Sequence, residues 1–161
     1  VDTGENSMTG GRIKKVKPFL KGDDTFLMTY GDGLSDVDIN ETINNYYKKG
    51  KICSITSVYP PGRFGALQIS SEGLVTDFVE KPAGDGGMIN GGYFVANKKI
   101  FDYIEGDHTV LEQEPLNNLT RDSELIAFKH KGFWQPLDTM RDKHLLEALW
   151  DSGEAPWRVS P

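Results

Sequence analysis

The chain carries one cysteine and three histidines among its 161 residues, and it has no long apolar run. A lone thiol forms no disulfide within one chain, so a cysteine-stapled secreted scaffold is excluded and the cytoplasm fits. Cys53 lies in the apolar run Ile52-Cys53-Ser54-Ile55, where a buried inert thiol is the plain reading. His108, His130 and His144 share no ligand spacing, which argues against a zinc site. No stretch is apolar enough to span a membrane as a helix, and none has the form of a secretory signal. The net charge of −6 lacks the basic excess of a nucleic-acid surface. Any anionic substrate must therefore be held by a few well-placed cations. No Ser/His/Asp or Cys/His pattern points to a protein nucleophile, and there is no internal repeat or low-complexity segment.

What remains is an ordinary soluble balance, 37% hydrophobic and 26% charged, in a chain long enough for one domain with a real core. The start, Val1-Asp2-Thr3-Gly4 with no initiator methionine, reads like the middle of a longer chain. Residues 1–12 are rich in Gly, Ser and Thr and are expected to be loop, followed by a short amphipathic helix around 12–20. Phe26–Tyr30 is a continuous apolar run of the kind that forms a strand buried on both faces. A helix opens after Asp36-Val37-Asp38, where Asp38 and Glu41 have capping-box spacing, and stops at Gly50. Strands are expected at Ile52–Tyr59, Ala66–Ser70, Leu74–Val79, Asn90–Ala96 and Leu125–Lys129, the middle two paired around Ser71-Glu72-Gly73. Short helices are expected at Lys98–Ile104 and near 111–121, and a last one from Thr139 to Trp150. Alternating strands and helices predict an α/β fold with a mixed, mainly parallel sheet flanked by helices.

Two aspartates follow apolar strands. Asp32 sits between Gly31 and Gly33 after Phe26–Tyr30, and Asp138 ends Phe133-Trp134-Gln135-Pro136-Leu137. Carboxylates just past the ends of buried strands face the crevice where open α/β sheets bind ligands, and two of them suit a Mg²⁺ ion on a phosphate-bearing substrate. The plain alternatives are a turn aspartate for Asp32 and the N-cap of the last helix for Asp138. Lys81, stiffened by Pro82, is a compact charge suited to phosphate, or a solvated surface lysine. Asn90-Gly91-Gly92-Tyr93 offers an amide and close backbone approach to a ligand, or a β-bulge. Arg63, in the Pro-rich loop 60–66, is a candidate anion contact or a surface arginine. Thr9-Gly10-Gly11-Arg12 offers backbone N–H groups and a guanidinium to an anion or a base. Asp36-Val37-Asp38 has the D-x-D form of a glycosyltransferase metal motif, but capping explains it better. Glu112-Gln113-Glu114 reads as an acidic first helical turn.

Taken together, these segments resemble the sugar-1-phosphate nucleotidyltransferases, and among them the branch that uses CTP and glucose 1-phosphate. The resemblance rests on Val1-Asp2-Thr3-Gly4, Ser7-Met8-Thr9-Gly10-Gly11-Arg12, Thr29-Tyr30-Gly31-Asp32-Gly33, Pro60–Leu67, Glu80-Lys81-Pro82, Met88–Val95, Glu112–Leu116 and Gly132–Thr139, in order along the chain. It implies a Rossmann-like, glycosyltransferase-A-like fold spanning 1–161 as the C-terminal part of a larger domain. The family's initial strand, its G-G-x-G-T-R loop and the following Lys-Pro have no counterpart in the sequence, so the chain alone is expected to be inactive and to expose a sheet edge. The resemblance further implies Mg²⁺ held by Asp32 and Asp138, with Lys81 on the sugar phosphate as the third catalytic group. Glu80, Asn90, Gly91, Gly65 and Tyr93 would line the sugar pocket, and Arg12 would lie near the nucleotide. The implied reaction transfers a cytidylyl group to glucose 1-phosphate, giving CDP-glucose and pyrophosphate for lipopolysaccharide O-antigen synthesis. It implies a cytoplasmic homo-oligomer with no nucleic-acid or membrane partner. The alternative is a non-catalytic homologue that binds a sugar phosphate or nucleotide sugar.

Overall fold

The computed structural model describes residues 1–22, 24–62, 64–80 and 87–158. They form two compact units. The first comprises Val1–Thr29, Ile39–Thr56 and Gly92–Phe128. The second comprises Tyr30–Asp38, Ser57–Gly91 and Lys129–Pro161.

In chain order the elements are α1 (Thr9–Val16), β1 (Thr25–Thr29), β2 (Gly33–Ser35), α2 (Ile39–Lys49), β3 (Cys53–Val58), β4 (Ala66–Ile69), β5 (Val75–Val79), β6 (Ile89–Asn97), α3 (Glu114–Arg121), β7 (Leu125–Lys129), β8 (Trp134–Pro136) and α4 (Met140–Ser152). Short 3₁₀ turns at Lys17–Phe19 and Lys98–Tyr103 follow α1 and β6. A four-stranded sheet has the order β1-β6-β3-β7, with β2-β8 and β4-β5 as separate ribbons. β1 and β6 are antiparallel. β3 and β7 run parallel, since Cys53 donates to Glu124 O and His130 donates to Ser57 O. The sheet is therefore mixed.

The core of the first unit forms where β-branched and aromatic residues meet the 3₁₀ turn after β6. Phe94, Val95 and Ala96 of β6, Ile100, Phe101 and Ile104 are all buried, and Phe26 of β1 stacks on Phe101 at 5.6 Å. Leu111 and Leu119 complete it from the α3 side. Cys53 is fully buried in β3, and burial pushes its thiol up to about 12. A cavity of about 210 Å³ in this unit is lined by Leu27, Thr29, Thr42, Ser54, Thr56 and Tyr93, among others.

Two sequence expectations are corrected here. β1 is not buried on both faces: it lies at one end of the strand order, and Leu27 is 53% exposed. The apolar run was a good strand signal but could not report how many neighbours the strand would have. Helix α1 starts at Thr9, inside the stretch read as loop. Two glycines are poor helix formers in isolation, but here they let the helix meet the 106–109 segment backbone to backbone. Gly10 and Gly11 N–H both donate to Thr109 O, at 2.9 and 3.3 Å. A Cβ at Gly10 would stand 2.8 Å from that oxygen, and one at Gly11 would stand 2.5 Å from Asp107 O.

In the second unit, β4 and β5 pair as the sequence predicts, with the register Ala66↔Val79 and Leu67↔Phe78. The ribbon β2–β8 is antiparallel, with Gly33↔Pro136, Leu34↔Gln135 and Ser35↔Trp134. Only β8 was signalled by an apolar run; β2, three residues with a glycine, carries too little pattern to be read.

Candidate active site

The β2–β8 register decides where the two aspartates lie. Asp32 precedes Gly33 and Asp138 follows Pro136 by two residues, so antiparallel pairing of Gly33 with Pro136 carries both to the same end of the ribbon. The ladder continues one step further, with Leu137 N–H donating to Asp32 O at 2.7 Å. Asp32 and Asp138 are both exposed. Their spacing of more than a hundred residues in sequence is closed by a pairing of three residues on each side.

The structural alternative for Asp138 is removed by its neighbour. The N-cap of α4 is Thr139, whose Oγ1 accepts from Asp142 N–H at 3.2 Å, while Asp142 Oδ2 accepts from Thr139 N–H at 3.0 Å. This reciprocal box satisfies the helix start, so Asp138 stands one residue outside the helix cap. Asp142 is itself buried and also accepts from Gln135 Nε2 at 2.8 Å, tying α4 to β8.

Asp36 is also reassigned. Helix α2 begins at Ile39, which leaves Asp36 too early to cap it. Instead Asp36 Oδ1 lies 2.8 Å from His130 Nε2. That nitrogen also lies 3.2 Å from Phe133 O. The same carbonyl accepts from Ser35 Oγ at 2.8 Å and from Asp36 N–H at 3.3 Å. One carbonyl thus accepts two hydrogen bonds beside the His130 ring nitrogen at the far end of the β2–β8 ribbon, and the Phe133 ring packs on Trp157 at 5.3 Å.

The sugar-pocket candidates fall into two groups. Asn90 and Gly91 open β6. Asn90 Nδ2 reaches Tyr30 Oη at 3.4 Å, two residues before Asp32, and Gly91 O accepts from Trp134 Nε1 at 2.9 Å. Asp32, Asp138, Asn90 and Gly91 are therefore joined within one unit. Gly65 and Glu80 form the second group, at the open end of the β4–β5 hairpin. A Cβ on Gly65 would lie 2.7 Å from the Phe78 ring and 3.2 Å from Glu80 Oε2. Lys81 and Arg63 lie outside the described residues. Tyr30 and Trp134, which make the two links, were missed in the sequence because an aromatic after or within an apolar run reads as core.

Arg12 and Tyr93 belong to the first unit. Arg12 donates to Thr3 Oγ1 at 2.8 Å and to Glu5 O at 3.1 Å. With the N–H groups of Gly10 and Gly11 committed to Thr109, this turn is built as packing, with its guanidinium already engaged. Tyr93 lies opposite Thr29 in the β1–β6 ladder, and burial pushes its phenol pKa up. Among the described residues, no group of three or more His, Cys, Asp or Glu side chains is arranged to hold a metal. No helix among them is long and apolar enough to cross a membrane.

A family model described as nucleotidyl transferase matches residues 4–148. The chain belongs to the nucleotidyl transferase family. It is 56% identical over 159 residues to glucose-1-phosphate cytidylyltransferase of Salmonella typhi, covering 99% of this chain and 62% of that protein. It is 39% identical to the probable glucose-1-phosphate cytidylyltransferase of Bacillus subtilis, with the same two coverages. The chain thus spans about 62% of the length of these curated relatives. Among solved structures, HddC from Yersinia pseudotuberculosis superposes with a TM-score of 0.64 at 27% identity, over 88% of this chain and 62% of that one. A putative glucose-1-phosphate thymidylyltransferase from Bacillus anthracis superposes at 0.67 over 98% of this chain and 65% of that one. At 16% identity it supports the fold alone. The α/β nucleotidyltransferase fold expected from the sequence is the one these neighbours share.

Proposed function

We propose that this chain carries the metal-binding and sugar-phosphate part of a glucose-1-phosphate cytidylyltransferase, which joins CTP and glucose 1-phosphate into CDP-glucose with release of pyrophosphate. The observation that carries the proposal is the β2–β8 register, which sets Asp32 and Asp138 at one end of one ribbon. The reading is supported by the 56% identity to the Salmonella enzyme.

The donor set fits Mg²⁺. That ion prefers hard oxygen ligands and is commonly bound by one or two carboxylates together with substrate phosphates, rather than by an all-protein cage. Asp32 and Asp138 are two such exposed donors, and the capping box of Thr139 and Asp142 leaves Asp138 outside the duty of starting α4. Bound there, Mg²⁺ would supply charge neutralisation on the phosphates.

The chain's own residues would do the rest by placement. Asn90 would exchange hydrogen bonds with sugar hydroxyls and Glu80 would accept them. The small residues at Gly65 and Gly91 would let the sugar lie against backbone. Lys81 would meet the phosphate of glucose 1-phosphate. The attacking phosphate oxygen is already an anion, so the reaction calls for no protein base, only alignment in line with the α-phosphorus of CTP and neutralised charge. The assembly is read as a cytoplasmic homo-oligomer.

The test is pyrophosphate release from CTP, glucose 1-phosphate and Mg²⁺, with UTP and dTTP in parallel. Turnover selective for CTP, reduced about a hundredfold or more in Asp32→Asn and in Asp138→Asn, would support the reading and would mean that the family's Gly-rich segment is dispensable. If no nucleotide is turned over, catalysis by this chain is excluded. Calorimetric binding of glucose 1-phosphate would then support the non-catalytic binding module.

A further inference from the structure

The ribbon that bears the two aspartates and the strand that opens with Asn90-Gly91 are joined by one strong hydrogen bond, from Trp134 Nε1 to Gly91 O at 2.9 Å. We propose that Trp134 is a positioning residue that sets the sugar-recognition turn at Asn90-Gly91 against the metal-bearing end of β2–β8. The inference rests on the reading of Asp32, Asp138 and Asn90 given under the proposed function.

Three features separate this contact from ordinary packing. First, an indole N–H donates and does not accept, so the bond has one polarity and one partner, and rotation of the ring cannot satisfy Gly91 in another way. Second, Gly91 is buried, and a buried carbonyl that loses its donor loses more than the bond is worth on the surface. Third, Gly33, the first residue of β2, lies directly against this bond, where a Cβ would make ordinary van der Waals contact. A Cβ there would lie 3.4 Å from Trp134 Nε1 and 3.7 Å from Gly91 O. The residue next to Asp32, the residue next to Asn90 and a side chain of β8 therefore meet at one point. The second, longer link from Asn90 to Tyr30 Oη runs between the same two segments, so the turn is held at its side chain and at its backbone.

Trp134 touches no reacting atom in this scheme. It acts on the sugar through Gly91 and Asn90, and its loss should appear in sugar-phosphate binding, not in CTP binding. Losing one such bond corresponds to a change in affinity of about fivefold.

The experiment uses the full chain and Trp134→Phe, which keeps an aromatic ring and removes only the donor. In the ¹⁵N–¹H spectrum of the wild type, the indole cross-peak that disappears in Trp134→Phe is that of Trp134. It should exchange slowly with solvent and should move when glucose 1-phosphate is added. By calorimetry, Trp134→Phe should bind glucose 1-phosphate about fivefold more weakly, with CTP binding close to wild type and the thermal midpoint lowered by only a few degrees. Equal loss for both substrates, or unchanged affinity for glucose 1-phosphate, would overturn the proposal, as would an indole peak that ignores the sugar phosphate. A wild type that turns over no nucleotide excludes catalysis by this chain as it stands, leaving a fragment or a binding module. The movement of the indole peak and the calorimetry still decide the positioning claim in that case.

Discussion

Two glycine pairs carry the same signal in the sequence and answer to different physics. Gly10-Gly11 and Gly91-Gly92 both sit beside polar residues at the entry to an element, and both suggest close approach of a ligand to backbone. In the first unit the approaching group is the protein itself. The Thr109 and Asp107 backbones occupy the space that two side chains would need, and the pair's N–H groups are used up on Thr109 O. In the other pair, Gly91 of the second unit offers its carbonyl to an indole, and the next residue, Gly92, the first of its stretch in the first unit, adopts a positive φ of 82°. A glycine pair reports that a Cβ is unwelcome. It does not report whether protein, ligand or backbone conformation is the reason.

Substitutions at the two pairs sharpen the contrast. Gly11→Ala has the largest expected effect, because its Cβ would stand 2.5 Å from Asp107 O and 2.6 Å from Asp107 Cα, both backbone atoms that cannot swing aside. Chemical denaturation should show a loss of about 3 kcal/mol, with sugar-phosphate binding unchanged in whatever fraction stays folded. Gly92→Ala should cost less, about 1–2 kcal/mol, through the left-handed backbone alone, and it should weaken glucose 1-phosphate binding out of proportion to that loss. If the two variants lost stability and binding in the same ratio, the distinction between a packing pair and a site pair would fail.

The strands and helices were legible in outline because their signals are local. The hairpin β4–β5 was announced by two short runs around Gly73, and α4 by its apolar side and a polar start. The error at that start was one residue. Asp138 and Thr139 are both good caps in isolation, and only Asp142, three residues beyond Thr139, completes a reciprocal box. That spacing is present in the sequence, where it competes with the acidic residue just before it. That Asp32 and Asp138 both face the ligand crevice is legible from two similar strand ends, but the pairing that joins them is not. The ribbon that achieves it includes β2, too short for any periodicity. The role of Asp36 was not legible at all. Its partner His130 lies 94 positions away, and no local rule pairs a D-x-D motif with a histidine after a distant strand. The half-exposed state of β1 was equally hidden, since an apolar run reports strand preference but not the number of neighbours.

The fully buried thiol in β3 gives the first unit a built-in clock. Cys53 is the chain's one cysteine, and burial raises its pKa from 9.0 to about 12, so the native state presents almost no thiolate at neutral pH. A thiol reagent can modify it only when the sheet opens, and the rate of that modification counts openings of one unit while ignoring the other. The same burial sets an alkaline limit. Below about pH 9 the thiol is neutral in folded and unfolded chains alike and contributes nothing to the pH dependence. Between about 9 and about 12 the unfolded chain releases a proton that the native one keeps, so stability falls across that window.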